Sequence, residues 1–315
     1  MNESLVSIVV PLEGDDAATL ESFIDETVAE LRAVTRHYEI ILVDDEAANT
    51  TSTRVEALLA RHDFLRFLRL SRHFGEETAI AAGLEVAIGD YVIVMLPNMD
   101  PPALIPEFLS RAESETDIVY GVRLHRKDEP MWYRVGARFF YWYMNGVIRA
   151  GIPENSTQFR CMTRQVVNAI TATRGPDQYL RLLTSYIGFR KQALPYAPIN
   201  RGHRPIGRPK SDAVRLARAL IMDHTLHPLR AVLLSGLAVS ITDVVVTGIR
   251  RGGGSPELHG AIQFFVLATM LTMTGEYVGF LSRRLRDRPA YYVREERTSS
   301  VLLREQRRNV VDATG

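Results

Sequence analysis

Cysteine is almost absent: Cys161 stands alone in 315 residues, so no intramolecular disulfide and no cysteine-rich zinc site can form, and the soluble part fits a reducing cytosol. Excess charge is missing too. The 38 Lys and Arg face 37 Asp and Glu, which removes the electrostatic argument for nucleic acid or for an acidic partner. No internal repeat or low-complexity tract interrupts the chain, and 46% hydrophobic content supports a real core and excludes wholesale disorder. The start, MNESLVSIVVPLEG, lacks the basic region followed by a long apolar run that marks a signal peptide.

Charge is uneven although its sum is not. Arg201, Arg204, Arg208, Lys210, Arg215, Arg218 and Arg230 are opposed only by Asp212 and Asp223. This basic stretch precedes two apolar segments, Ala231 to Ile249 and Ala261 to Leu281, each near the ~20 residues a helix needs to cross a bilayer. They read as a two-helix membrane hairpin; buried core helices are the alternative, and would accommodate Asp243 and Glu276 more easily than hydrocarbon does. Arginines before the first segment, and Arg283, Arg284, Arg286 and Arg288 after the second, place both ends in the cytoplasm, against the opposing pull of Arg250 and Arg251 in the connection. Ser211 to His224 has the pattern of an amphipathic helix lying at the lipid surface just before the hairpin.

The first 125 residues alternate apolar runs with helical stretches. SIVVPL, YEIILVDDE, FLRFLRLS, DYVIVML and TDIVYGVR predict at least five strands of an α/β sheet, mostly parallel and covered by helices on both faces. Ligands of such sheets gather at the carboxyl ends of strands. Asp44 and Asp45 sit at one such end, where they could bind a ribose or base or merely cap the next helix. Arg72 follows another strand and could reach phosphate oxygens, a surface arginine being the alternative. In RGHRPIGRPK, four cations share a Gly- and Pro-rich loop; this suits a diphosphate or lipid phosphate, or anionic lipid heads in general. Met131 to Ile148, dense in aromatics, fits either a core-packing helix or one resting on lipid.

Taken in order, SIVVPL, ILVDDE, LSRHFGEETAIAAGLEVAIGDYVIVM, DPPALIPEFL, QFRCMTRQVV, RGHRPIGRPK and TGEYVGFLSRRLRDRPAYYV resemble family 2 glycosyltransferases of the polyprenyl-phosphate type, relatives of dolichol-phosphate mannose synthase and the bactoprenol glucosyltransferases. The resemblance runs from Leu5 to about Glu296. It implies a cytosolic GT-A domain over residues 1–210, a juxtamembrane helix over 211–230, a transmembrane hairpin over 231–281 and a cytosolic tail over 282–315, in a multi-pass protein of the cytoplasmic membrane. It further implies transfer of a sugar from a nucleotide-sugar to a polyprenyl phosphate, with nucleotide-sugar contacts at Pro11, Asp15, Asp44, Asp45 and Arg72. Lipid-phosphate contacts fall on Arg201, Arg204, Arg208 and Lys210, and catalytic roles on Gln158, Arg201 and Arg204. Paired hairpins suggest a homo-oligomer.

Departures from the family pattern concentrate at the chemistry. Where the family reads DADLQDPP this chain reads MLPNMDPP, so Met95, Pro97 and Met99 stand at the metal-ligand positions, and none offers an oxygen to Mg or Mn. A shifted pair, Asn98 and Asp100, makes a poor site for such an ion. No metal cofactor is therefore expected. Gln158 replaces an acid and keeps hydrogen bonding without charge, and Glu76 replaces a lysine. Three readings follow. One is a transferase in which arginines neutralise the diphosphate; the second is an inactive homologue that binds or scaffolds in glycolipid or cell-envelope glycan assembly; in the third the nucleotide pocket is vestigial and the membrane hairpin with its interfacial helix mediates partner contacts alone.

Overall fold

A computed structural model describes residues 3–12, 17–45, 49–124, 131–147, 153, 155–172, 180–186, 188–199, 201, 227–249, 256–284 and 291–299. The described chain falls into two compact units, residues 1–207 with 289–315, and residues 208–288.

The first unit is built on one eight-stranded sheet. Strands β1 (Val6–Leu12), β2 (Tyr38–Asp44), β3 (Leu65–Leu70) and β4 (Tyr91–Val94) are parallel and lie in the order β4-β1-β2-β3. Every residue of β1 and β2 is buried, which explains why their sequences run apolar without alternation: both faces are covered. Helices α1 (Ala17–Val34), α2 (Asn49–Arg61) and α4 (Ile105–Glu113) supply Phe23, Leu58 and Phe108 to one side. Helix α3 (Glu76–Val86), with α6 (Arg164–Ala172) and α7 (Leu180–Tyr186), supplies Ile80, Val167 and Leu180 to the other. At Gly83 helix α3 lies so close to β1 that an added Cβ would stand 2.3 Å from Val9 Cγ1.

Beyond β4 the sheet turns mixed. Strand β6 (Ser156–Thr163) runs antiparallel to both β4 and β5 (Ile118–Arg123), and β7 (Lys191–Tyr196) closes that edge parallel to β5. The five strands expected from sequence are β1 to β5. At the opposite edge β8 (Val293–Thr298) pairs antiparallel with β3, so residues assigned to a tail carry a strand of the sheet. Arg66 Nε bonds Glu296 at 2.8 Å, Ser299 Oγ receives the Leu65 N–H at 3.1 Å, and the Tyr291 hydroxyl bonds Glu85 at 2.5 Å. Residues Met131–Trp142 form α5, which runs into a π-helical turn, Tyr143–Val147.

The second unit holds α8 (His227–Ile249) and α9 (Pro256–Arg284). They pack where Gly236 of α8 leaves room: a Cβ there would meet Met270 Cε at 2.2 Å and Val266 Cγ1 at 3.0 Å. Leu234, Phe264, Phe265 and Leu271 stay exposed. Among the described residues one helix, α9, has a stretch long and apolar enough to cross a bilayer, Gly260–Gly279. Against the expected pair of spans, α8 carries a shorter apolar run, Val232–Val246, which Arg230 bounds and Asp243 interrupts. The amphipathic helix expected over Ser211 to His224 lies outside the described residues.

Candidate functional site

The carboxyl ends of β1, β2 and β4 converge as the parallel order requires, and β4 continues into the loop 95–100. Its geometry is set from within. Asp100, fully buried, accepts the Leu96 N–H at 2.8 Å through Oδ2 and the Tyr196 hydroxyl at 2.6 Å through Oδ1. The segment after β7 lies along the same loop, with Ile199 N donating to Met99 O at 2.9 Å and Arg201 N to Asn98 O at 3.1 Å. Burial pushes the Asp100 carboxyl up from 3.8 to about 6, against the lowering effects of the Tyr196 and Leu96 bonds and of the Arg123 charge.

The residues present do not fit a divalent cation. Met95 is fully buried in the core beside α1 and α4, and Pro97 is buried as well. The Met99 sulfur accepts from Arg123 Nη2 at 3.2 Å. Asn98 Oδ1 takes the Thr19 hydroxyl at 2.9 Å, and each Asp100 oxygen already accepts a hydrogen bond from the protein. Among the described residues no group of three or more His, Cys, Asp and Glu side chains could hold an ion. Beside Met99 lies the guanidinium of Arg123, at the end of β5, whose Nε is buried without a hydrogen-bond partner. Sequence reasoning missed it, because an arginine ending a strand is indistinguishable from a surface arginine until the sheet order puts β5 within reach of the β4 loop.

The strand-end acids of β2 are turned inward. Asp45 Oδ1 accepts the Phe74 N–H at 2.7 Å, Oδ2 the Gly75 N–H at 2.6 Å, and His73 Nδ1 lies 2.9 Å from Oδ2. This carboxylate shapes the turn entering α3, where Gly75 adopts φ 103°, a value natural to glycine. Asp44 is fully buried and pairs with Arg69 Nε at 2.8 Å; Arg69 Nη1 is 3.8 Å from Glu295 of β8. Arg72 is exposed, its guanidinium 4.8 Å from the Phe74 ring centre. Pro11 is buried in β1.

Gln158 lies in β6, 4% exposed, and its Nε2 donates to Glu77 Oε1 in the first turn of α3. Arg201 faces the protein: it pairs with Glu26, reaches Pro97 O at 3.4 Å and lies 5.6 Å from the Phe23 ring centre. It fastens the 95–100 loop to α1. Asp15, Arg204, Arg208 and Lys210 lie outside the described residues.

The family model for Glycosyl transferase family 2 matches residues 7–171, a span that runs from the second residue of β1 past the end of β6 and includes α3. Among curated relatives, the undecaprenyl-phosphate 4-deoxy-4-formamido-L-arabinose transferase of Yersinia pestis is 27% identical over 94% of this chain and 95% of its own. An uncharacterized glycosyltransferase of Synechocystis is 29% identical over 91% and 94%, and another of Bacillus subtilis is 26% identical over 92% and 93%. Among solved structures, glucosyl-3-phosphoglycerate synthase from Mycobacterium tuberculosis, in complex with Mn2+, UDP and phosphoglyceric acid, superposes with a TM-score of 0.53. That likeness, at 14% identity over 70% of this chain and 76% of the other, shows the fold.

Proposed function

The chain belongs to glycosyl transferase family 2, and from that premise we propose that it transfers a sugar from a nucleotide-sugar to a polyprenyl phosphate. The observation that carries the reading is the extent of the likeness to the Yersinia pestis enzyme, an undecaprenyl-phosphate transferase: it covers 94% of this chain, and so takes in the helices of the second unit as well as the sheet. An acceptor phosphate is already anionic. Its oxygen attacks the anomeric carbon as the bond to the nucleoside diphosphate breaks, and the chief need is positive charge where that leaving group gathers electrons.

In this reading no divalent ion is used, and the charge comes from fixed guanidinium groups. Arg123 beside Met99 is the first of these, with exposed Arg72 at the entry to α3 the second. Arg204, Arg208 and Lys210 are the cations this reading assigns to the lipid phosphate, since Arg201 is already paired with Glu26.

Two membrane spans fit the sheet better than one. Strand β8 follows α8 and α9 in sequence yet hydrogen-bonds in the same sheet as β1 to β7, so a chain that leaves this unit for the bilayer must cross an even number of times. If α9 crosses, α8 crosses with it, despite Asp243. This supports a hairpin over 231–281 that returns β8 to the side of the membrane holding the sheet, and the arginines flanking the two helices favour the cytoplasm for that side.

The test is transfer of labelled hexose from UDP-, GDP- or dTDP-sugars to undecaprenyl phosphate by the full-length protein in nanodiscs, with and without EDTA. Transfer unaffected by EDTA is the expected result. Activity that EDTA abolishes and Mn2+ restores would overturn the metal-free part. Nucleotide binding without any transfer would favour the scaffolding reading.

A further inference from the structure

Gln158 has one half of its amide committed and the other half stranded. Nε2 donates to Glu77 Oε1, whereas Oε1 is buried with no hydrogen-bond partner. Chemistry fixes this orientation. Both Glu77 oxygens act as acceptors, Oε2 taking the Leu180 N–H at 3.3 Å, so turning the amide over would aim two oxygens at each other. Folded proteins leave few buried acceptors unpaired, because such a group loses its bond to water and gains nothing in exchange.

Position adds to the argument. Val94, the last residue of β4, pairs with Arg160 of antiparallel β6, so Gln158 lies beyond the carboxyl end of β4, alongside the loop that would face the transferred group. The first turn of α3 already holds Glu76 and Glu77. A third carboxylate at position 158 would crowd negative charge around a departing diphosphate in a site without divalent-cation ligands, and an amide carbonyl accepts a hydrogen bond without that cost.

We propose that Gln158 Oε1 accepts a hydrogen bond from a hydroxyl of the sugar being transferred, with Glu77 as the positioning residue that holds the amide in the accepting orientation. This rests on the nucleotide-sugar reading above. Gln158 thereby contributes to recognition of the hexose and nothing to recognition of the nucleotide.

The two contributions separate in a titration. Full-length protein in nanodiscs is titrated calorimetrically with UDP, GDP and dTDP and with their glucose or mannose conjugates. In the unaltered protein the hexose should tighten binding about fivefold to tenfold over the bare diphosphate, the range of one well-placed hydrogen bond. Gln158→Met, of similar length, should erase that gain while the diphosphate binds as before. Glu77→Gln frees the amide to turn and should leave an intermediate gain, and it carries the test if Gln158→Met does not fold. A hexose gain that is absent from the unaltered protein, or undiminished in both variants, overturns the inference while the nucleotide-sugar reading stands. If no diphosphate binds at all, that reading falls and this inference falls with it.

Discussion

Tyr196 at the end of β7 donates its hydroxyl to Asp100 Oδ1 at 2.6 Å, joining the last strand of one sheet edge to the loop that follows a central strand. Phe159 packs against the same tyrosine with ring centres 5.5 Å apart, and Gly121 admits the ring, since a Cβ there would stand 2.7 Å from it. The loop meant by resemblance to present ligands outward is thus anchored from below.

That anchor is pH-dependent. Asp100 has a folded-state value of about 6 against an ordinary 3.8, burial being the main cause. Because the folded value is raised, the folded state holds the proton more tightly, and this group's stabilising contribution is present below about pH 4 and lost as pH rises through 6. At about 1.4 kcal/mol per pH unit, the change is on the order of 3 kcal/mol. Asp100→Asn should remove this slope, so the difference in thermal stability between the two proteins, followed from pH 4 to 7, measures it directly. Parallel curves would show that Asp100 titrates normally.

Asp45→Ala should strand the Phe74 and Gly75 N–H groups and cost about 2 kcal/mol or more. Hydrogen exchange in the 72–78 segment should accelerate well beyond the rest of α3. Unchanged protection would mean that the turn is held by its own backbone bonds.

Restoring an acid at Met95 should harm the protein before it helps the site. Met95 is fully buried among apolar side chains, and Met95→Asp should cost about 3 kcal/mol or more for want of a partner. Pro97→Asp with Met99→Gln leaves that core intact. Mn2+ titration with thermal unfolding distinguishes the two, and a melting point raised by Mn2+ in Met95→Asp would contradict the expectation.

Gly83→Ala drives a methyl group into Val9 Cγ1, 2.3 Å from the ideal Cβ position, and should cost about 1–3 kcal/mol by overpacking. Gly236→Ala meets the flexible end of Met270 instead and should cost less. Equal shifts in melting temperature would argue against this difference in local give.

The parallel half of the sheet was legible because continuous apolar runs such as VSIVVPL and YEIILVD have few other uses. Strand β8 was not: VREERT carries no strand pattern, and its place is set by backbone pairing with β3, accompanied by Arg66–Glu296 and Arg297–Glu56 pairs formed across long stretches of chain. At the site, the residue types at 95, 97 and 99 are read directly from the sequence, and so is their lack of side-chain oxygens. Their surroundings stayed hidden, since neither the Arg123–Met99 contact nor the Gln158–Glu77 bond joins sequence neighbours. Asp44 and Asp45 illustrate the same limit. A strand-end acid advertises binding, but whether its oxygens face a ligand or a neighbouring backbone depends on how the next turn folds.

Strand β8 also sets an order of events during synthesis. Arg66 and Glu296 are separated by 230 positions, so the outer edge of β3 waits uncovered on the ribosome until nearly the whole polypeptide, apolar helices included, has emerged. A nascent chain stalled within those helices would leave an open strand edge available to chaperones or to a second unfinished copy, and sealing of that edge reports that the passage through α8 and α9 is complete.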